Sequence, residues 1–131
     1  MPEERKKQVK LDYDLLRYIL FEIEDENYSR GAGENLQNEL RNKYGDKFEQ
    51  IKFAHIELLN DGGYIVANVK RFGDNLLFAE PLRITLKGYD FLNSIRDVKQ
   101  WQNIKNKIYG IGSYSLEVIK QVATKLILEQ I

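Results

Sequence analysis

The feature that most constrains the fold is an Asp-Gly-Gly step at residues 61–63, where helical periodicity gives way to a β pattern. Residues 46–60 place apolar side chains along one projected stripe of a helix. The stripe consists of Phe48, Ile51, His55, Leu58 and Leu59. Residues 64–69 are then rich in β-branched and aromatic side chains, and residues 76–84 form a second extended segment beyond a turn. The sequence therefore predicts a helix followed at once by a β-hairpin.

Two more amphipathic helices are predicted before this unit. Asp12 is a candidate N-cap for a helix within residues 11–26, and a shorter helix follows with Leu36, Leu40 and Tyr44 on one face. Asp46 and Glu49 have the form of a capping box that opens the third helix. The first helix ends in four carboxylates that oppose its macrodipole, so they are either neutralised by a neighbour or solvated. These are Glu22, Glu24, Asp25 and Glu26.

Three helices are predicted after the hairpin. Thr85 is a candidate cap for the first of them, and Asp97 with Gln100 forms a capping-box pair for the second, whose packed face contains Trp101. The last helix is apolar over more than half of its circumference, which predicts a second contact partner. That partner is either the Trp101 helix or a symmetry-related chain. Pro81 requires its strand to be an edge strand or to be interrupted there.

This order of elements predicts a mainly α (α+β) fold with a winged helix-turn-helix core and a C-terminal helical extension. We divide the chain into a flexible basic arm over residues 1–10 and a winged-helix core over residues 11–97. Residues 98–131 are the helical extension, packed on the core or used for dimerisation.

Several motifs resemble known families. The stretch HIELLNDGGYI, a hairpin, and then Ile84-Thr85-Leu86-Lys87-Gly88 resemble the winged-helix signature of many bacterial regulators. KLDYDLLRYILFEIE, AHIELLNDGGYI, ITLKGYDFLNSIRD, Trp101 and SLEVIKQVATKLI resemble more closely the domain-of-unknown-function family 2513 of short phage and bacterial proteins. This resemblance implies a winged-helix core with a helical extension and a phage or prophage context, and it implies no particular activity.

Composition narrows the function classes. The 20 Lys and Arg balance the 20 Asp and Glu, and the absence of Cys excludes disulfides and thiolate chemistry. His55 is the only histidine and falls on the apolar stripe, so we expect a buried, hydrogen-bonded core residue. The sequence predicts no catalytic residues, no metal site and no cofactor. It also predicts no membrane span or signal peptide, hence a cytoplasmic location.

The first functional hypothesis is a phage-type DNA-binding or regulatory protein. In a winged helix the third helix enters the major groove of double-stranded DNA. Gln50 and Asn60 project outward on this helix and are the base-edge candidates. The charge of the third helix is unfavourable for DNA binding, because residues 46–61 contain two cations and four carboxylates. The backbone contacts are therefore assigned to cations outside the helix: Lys6 and Lys7 in the arm, and Lys70 and Arg71 at the wing tip.

The alternative hypothesis is that the winged helix serves as a protein–protein interaction module. Phe53 projects outward between Glu49 and Glu57, and an apolar side chain in polar surroundings can mark an interface with a protein partner. The first hypothesis also predicts a homodimer formed through the C-terminal helices. Neither hypothesis predicts an enzyme.

Overall fold

The computed structural model describes residues 10–24, 34–73, 76–108 and 116–129. Its helices are α1 (Tyr13–Glu24), α2 (Glu34–Tyr44), α3 (Phe48–Asp61), α4 (Leu86–Ser94), α5 (Val98–Ile108) and α6 (Leu116–Glu129). A 3-10 turn (Gly45–Lys47) precedes α3, and strands β1 (Ile65–Phe72) and β2 (Leu76–Ile84) form one two-stranded antiparallel sheet. The mainly helical α+β class is confirmed.

Helix α1 lies at the centre of the core. Every residue from Leu15 to Phe21 is buried, because α2, α3, α4 and β2 all pack against this helix. The run includes Arg17, whose guanidinium donates hydrogen bonds to the carbonyls of Ile95 and Arg96, at 2.9 and 2.8 Å. Burial lowers the pKa of Arg17 to about 10, so it stays charged at neutral pH and satisfies carbonyl groups at the end of α4.

Three of the four predicted helix caps are confirmed. Asp12 accepts a hydrogen bond from the backbone N–H of Leu15, and Asp97 accepts one from that of Gln100. Thr85 accepts one from Gly88 at 3.1 Å. The capping box of Asp46 and Glu49 is wrong. Gly45 has a φ of 60° and starts a 3-10 turn, so α3 begins at Phe48 without a side-chain cap.

Cations from neighbouring elements neutralise the described part of the acidic end of α1. Lys52 on α3 lies 2.7 Å from Glu22. Arg96 donates two hydrogen bonds to the carboxylate of Glu24, at 2.9 and 2.8 Å. Of the two explanations for these charges, neutralisation is therefore correct for Glu22 and Glu24.

The C-terminal helices pack on the core through a shared carboxylate on α1. Trp101 Nε1 donates to Asp14 at 2.7 Å, and Lys105 Nζ donates to both oxygens of the same group. Helix α6 then packs on α5 and α4. The Trp101 helix is thus one contact partner of α6, while Ile127 and Leu128 near the end of α6 remain exposed. None of the helices in the described ranges has the length and apolarity of a membrane span.

Candidate interaction surface

The hairpin pairs β1 with β2 from Ile65 opposite Ile84 to Phe72 opposite Leu76. The register shifts once along the sheet, which leaves Leu82 as an extra residue in β2, a β-bulge. Pro81 adjoins the bulge, and both strands of a two-stranded sheet are edge strands. The prediction that Pro81 lies in an edge strand or at an interruption is therefore confirmed.

One face of the hairpin, the inner hairpin face, packs on the helices. Ile65, Ala79 and Ile84 are buried there, and Ala67 and Val69 pack partly against the core. Because side chains alternate across a strand, the residues between them point the other way. The inner hairpin face therefore fixes which side chains the sheet turns outward.

Two polar contacts hold the hairpin on α3. The side-chain oxygen of Asn60 accepts a hydrogen bond from the backbone N–H of Ala67 at 2.9 Å, next to the bulge. Near the tip, Arg71 donates to Glu57 at 2.5 Å. Two residues predicted to contact DNA, Asn60 and Arg71, thus have partners within the fold. Their base-edge and backbone roles stay predictions.

The outer hairpin face is a mixed apolar and charged surface. It consists of Val66, Asn68, Lys70, Phe72, Phe78, Glu80 and Arg83. Phe72 is 51% exposed and Phe78 is 43% exposed, and they are diagonal neighbours in the register. Leu82 in the bulge is 58% exposed and Leu86, directly after the hairpin, is 80% exposed. Of these side chains only Phe72 and Phe78 are neighbours, and an exposed apolar patch of this kind can mark an interaction site.

The charged groups of the outer hairpin face are not neutralised within the described ranges. Lys70, Glu80 and Arg83 form no ion pair within 4 Å with any residue that the structure describes. Cations elsewhere do, for example Lys43 with Asp12 at 2.9 Å. The outer hairpin face can therefore offer charges of both signs to a partner.

Helix α3 does not present the five predicted residues on one exposed face. Glu49 and Gln50 are exposed at its beginning, whereas Glu57 and Asn60 are partly buried at the hairpin. Phe53 is partly buried against the core, so its outward projection is wrong. Leu58, predicted to lie inside, is 40% exposed. The reason is that α1, α2 and both strands contact α3, which leaves no single outward stripe. Lys6 and Lys7 lie outside the described residues.

His55 is fully buried in a polar cluster, as predicted. Its Nε2 accepts a hydrogen bond from the backbone N–H of Asp12 at 3.0 Å, and Nδ1 lies 2.9 Å from the carbonyl of Ile51. This pairing requires the neutral imidazole with its proton on Nδ1. Burial lowers the pKa of His55, against the raising effect of the hydrogen bond to Ile51.

The Asp12 carboxylate completes the cluster by linking α1 to the end of α2. It accepts hydrogen bonds from Lys43 at 2.9 Å and from the Tyr44 hydroxyl at 2.6 Å. Burial alone would raise the pKa of Asp12, but these bonds outweigh it and the pKa is lowered. Burial and the bond to Asp12 raise the pKa of Tyr44 to about 12. These hydrogen bonds tie the start of α1 to the end of α2 and to α3.

We also searched the described ranges for a metal site and for surface depressions. No three His, Asp or Glu side chains there lie close enough together to hold a metal ion. A surface depression of about 410 Å³ lies along α6 only, lined by Lys120, Thr124 and Leu128 among others. A second, of about 340 Å³, lies beside Asp97 and Gln100. Neither contains the His55 cluster.

The fold and this surface define a mainly helical α+β protein that carries an exposed aromatic and charged sheet face. The chain belongs to the family described as hypothetical protein (DUF2513), whose model matches residues 10–114, so the family resemblance is confirmed. An uncharacterized protein of Haemophilus influenzae is 29% identical over 121 residues, which are 91% of this chain and 96% of that protein. No solved structure matches the chain.

Proposed function

We propose that residues 11–97 form a winged helix and that this core is a protein–protein interaction module. Helices α2 and α3 are the helix-turn-helix pair, and the hairpin is the wing. The docking surface is the outer hairpin face, and the observation that carries the proposal is the exposure of Phe72 and Phe78 side by side on it. The cytoplasmic location, the phage context and the lack of catalytic activity stay predictions.

The chemistry of the outer hairpin face favours a protein partner over a nucleic acid. Protein interfaces are enriched in aromatic anchors next to polar groups, and Phe72 and Phe78 lie near the tip of a face that also carries Lys70 and Glu80. The α3 helix fits DNA poorly, because Glu49 is exposed at its beginning and Lys52 is held by Glu22. We therefore propose the outer hairpin face, and not Phe53, as the interaction surface.

DNA binding is the second candidate. Lys70 and Arg83 lie on the same outer hairpin face, two rows apart, and Gln50 is exposed at the beginning of α3. Backbone contacts by Lys6, Lys7, Lys70 and Arg71 would then supply the affinity, with Gln50 and Asn60 at base edges. Such binding must weaken as salt rises, because each phosphate contact releases counterions.

Photo-crosslinking in cells that express the chain tests the proposal. A photoreactive phenylalanine analogue is placed at Phe78 on the outer hairpin face, at Gln50 on α3, and at Asn42 on the exposed side of α2 as the matched control. Adducts are identified by mass spectrometry, and an identified protein is purified and its affinity measured. We expect a specific protein adduct from position 78, absent from position 42, and an affinity reduced at least about tenfold by Phe78→Ser.

Two results would contradict the proposal. One is the absence of a protein adduct at position 78 when the variant is folded, as judged by the fluorescence of the buried Trp101. The other is an adduct to DNA from positions 50 and 78, which would favour the second candidate.

A further inference from the structure

We propose that the protein partner binds the outer hairpin face through an extended segment with a defined order of side chains on one side: a carboxylate, a cation, a second carboxylate and an apolar side chain. This inference rests on the proposed function of the outer hairpin face. The observation behind it is the order of the unpaired charges along the hairpin, which alternate in sign before the two exposed phenylalanines.

The register arranges the outer hairpin face in four rows across the two strands. From the base of the hairpin to its tip, the rows contain Val66 with Arg83, Asn68 with Glu80, Lys70 with Phe78, and finally Phe72. Successive rows are two residues apart along β1, which is roughly 7 Å, so the four rows span about 20 Å. The charges therefore read positive, negative, positive along the hairpin, and the phenylalanines follow at the tip.

These charges are available to a partner. None of Arg83, Glu80 and Lys70 forms an ion pair within 4 Å with a residue that the structure describes, and all three are exposed. A partner can therefore place an opposite charge at each of them without displacing an existing ion pair. The alternation also disfavours a partner whose charges follow in another order, because like charges would then face each other.

The spacing of the rows favours an extended segment over a helix. Every second side chain of a strand lies on the same side at intervals of roughly 7 Å, which matches the hairpin over all four rows. The turns of a helix repeat every 5.4 Å, so three turns cover only about 16 Å of the roughly 20 Å. The extended segment crosses from β2, which carries Arg83 and Glu80, to β1, which carries Lys70 and Phe72. Its apolar end then contacts the exposed phenylalanines.

Two synthetic peptides of equal composition, both with blocked ends, test the inference in nuclear magnetic resonance titrations of the full chain. In the matching peptide, Asp-Thr-Lys-Thr-Glu-Thr-Leu, the charges follow in the proposed order and the Thr residues favour an extended backbone. The control peptide, Lys-Thr-Asp-Thr-Glu-Thr-Leu, places a cation at Arg83 and a carboxylate at Glu80. We expect the matching peptide to shift the amide resonances of β1 and β2, with an affinity at least about threefold higher than that of the control.

A variant that exchanges two charges of the chain supplies the converse test. Glu80→Arg with Arg83→Glu keeps the net charge of the outer hairpin face but reverses the signs in two rows, so we expect it to prefer the control peptide. Lys47→Glu changes an exposed cation on the 3-10 turn and should leave the preference unchanged. Trp101 fluorescence verifies that each variant is folded. If the exchange variant fails to fold, Glu80→Gln and Arg83→Gln replace it, and each should reduce the preference.

Several results would overturn the inference. They are equal affinities for the two peptides, resonance shifts confined to other parts of the chain, no shifts with either peptide, or a preference that the exchange variant does not reverse. The proposed function is judged separately, by crosslinking at Phe78. A protein adduct at that position together with equal peptide affinities would refute the charge order while the proposed function stands. The absence of both the adduct and the shifts would refute both proposals.

Discussion

At the scale of single residues, His55 shows how one neutral imidazole joins two helices. One ring nitrogen accepts from the backbone at the start of α1, and the other lies against a carbonyl one turn back along α3. A second proton on Nε2 would turn this nitrogen into a donor, and it would then face the backbone N–H of Asp12, which is also a donor. Protonation therefore has to break the contact between His55 and Asp12.

We predict that the free energy of unfolding decreases as the pH falls below about 6.5. Burial lowers the pKa of His55 in the folded chain below the ordinary histidine value of about 6.5, so the unfolded chain takes up the proton first. The slope for one such proton is at most about 1.4 kcal/mol per pH unit. This slope is measured by urea unfolding, monitored by Trp101 fluorescence, at several values between about pH 5 and 7. The range is that in which an unperturbed histidine titrates.

His55→Gln is the matching variant, because it removes the titrating group but keeps a side chain that can accept and donate. The pKa of Asp12 is lowered and the pKa values of Lys43 and Tyr44 are raised, so these neighbours titrate outside this pH window. The dependence on pH should become clearly shallower in the variant. An unchanged slope would mean that another group is responsible.

Gly88 gives a second prediction for a single residue. A Cβ built at Gly88 would overlap the carbonyl oxygen of Tyr64 and approach the Ile84 side chain at 2.7 Å. Gly88→Ala should therefore reduce the free energy of unfolding by about 2–3 kcal/mol, since the overlap is with backbone that cannot move freely. Asp90→Ala, exposed on the same helix, should change it by less than about 0.5 kcal/mol. Equal effects of the two changes in urea unfolding would contradict this explanation of the glycine.

At the scale of elements, α3 and the hairpin form one unit. The side-chain oxygen of Asn60 on α3 accepts a hydrogen bond from the backbone N–H of Ala67 next to the β-bulge. Arg71 adds an ion pair at the tip. Exposed pairs of this kind contribute only about 0–1 kcal/mol, so the buried packing and the Asn60 bond dominate the attachment.

We predict that Asn60→Ala lowers the free energy of unfolding by about 1–2 kcal/mol, because it leaves the Ala67 N–H without its acceptor. Gln50→Ala is the control, since Gln50 is exposed on the same helix and should have almost no effect. Both values come from urea unfolding at neutral pH. If Asn60→Ala leaves stability unchanged, its contact with the hairpin is not structural.

The elements that could be predicted from the sequence were those specified by local signals. The three confirmed caps accept hydrogen bonds from backbone N–H groups only three residues away, so the local sequence is enough to predict them. These caps are Thr85, Asp97 and Asp12. Phe53 and Leu58 were misplaced because the sides of α3 are covered by elements distant in sequence, which a projection of one helix does not contain.

The outer hairpin face could have been found from the alternation of β1. Neighbouring residues on a strand point to opposite faces, so Lys70 and Phe72 had to lie together and Arg71 opposite them. Treating Lys70 and Arg71 as one cationic tip missed this. The long-range partners, such as Glu24 with Arg96, could not have been predicted, because no local pattern links them.

At the scale of the whole molecule, several of the cations that DNA binding could use are engaged in ion pairs. Lys43, Lys52, Arg71, Arg96 and Lys105 are all bound to carboxylates. The formal net charge is zero, so no strong overall attraction to phosphate is expected. The exposed phenylalanines of the outer hairpin face are the more distinctive feature of this surface.

We predict that the chain shows no saturable binding to generic duplex DNA at moderate salt. Fluorescence anisotropy over a salt titration, repeated with Arg71→Glu, is the measurement. Saturable binding that weakens as salt rises and is lost in Arg71→Glu would instead support the DNA-binding candidate.

The central claim is that a protein partner covers the outer hairpin face in cells. Oxidative footprinting of Phe72 and Phe78 measures this coverage directly. Their oxidation in cells expressing the chain is compared with that in dilute purified chain, with the exposed Leu58 on α3 as the internal reference. We predict that both phenylalanines are protected in cells while Leu58 is unchanged. Equal oxidation of Phe72 and Phe78 in the two conditions would contradict the claim.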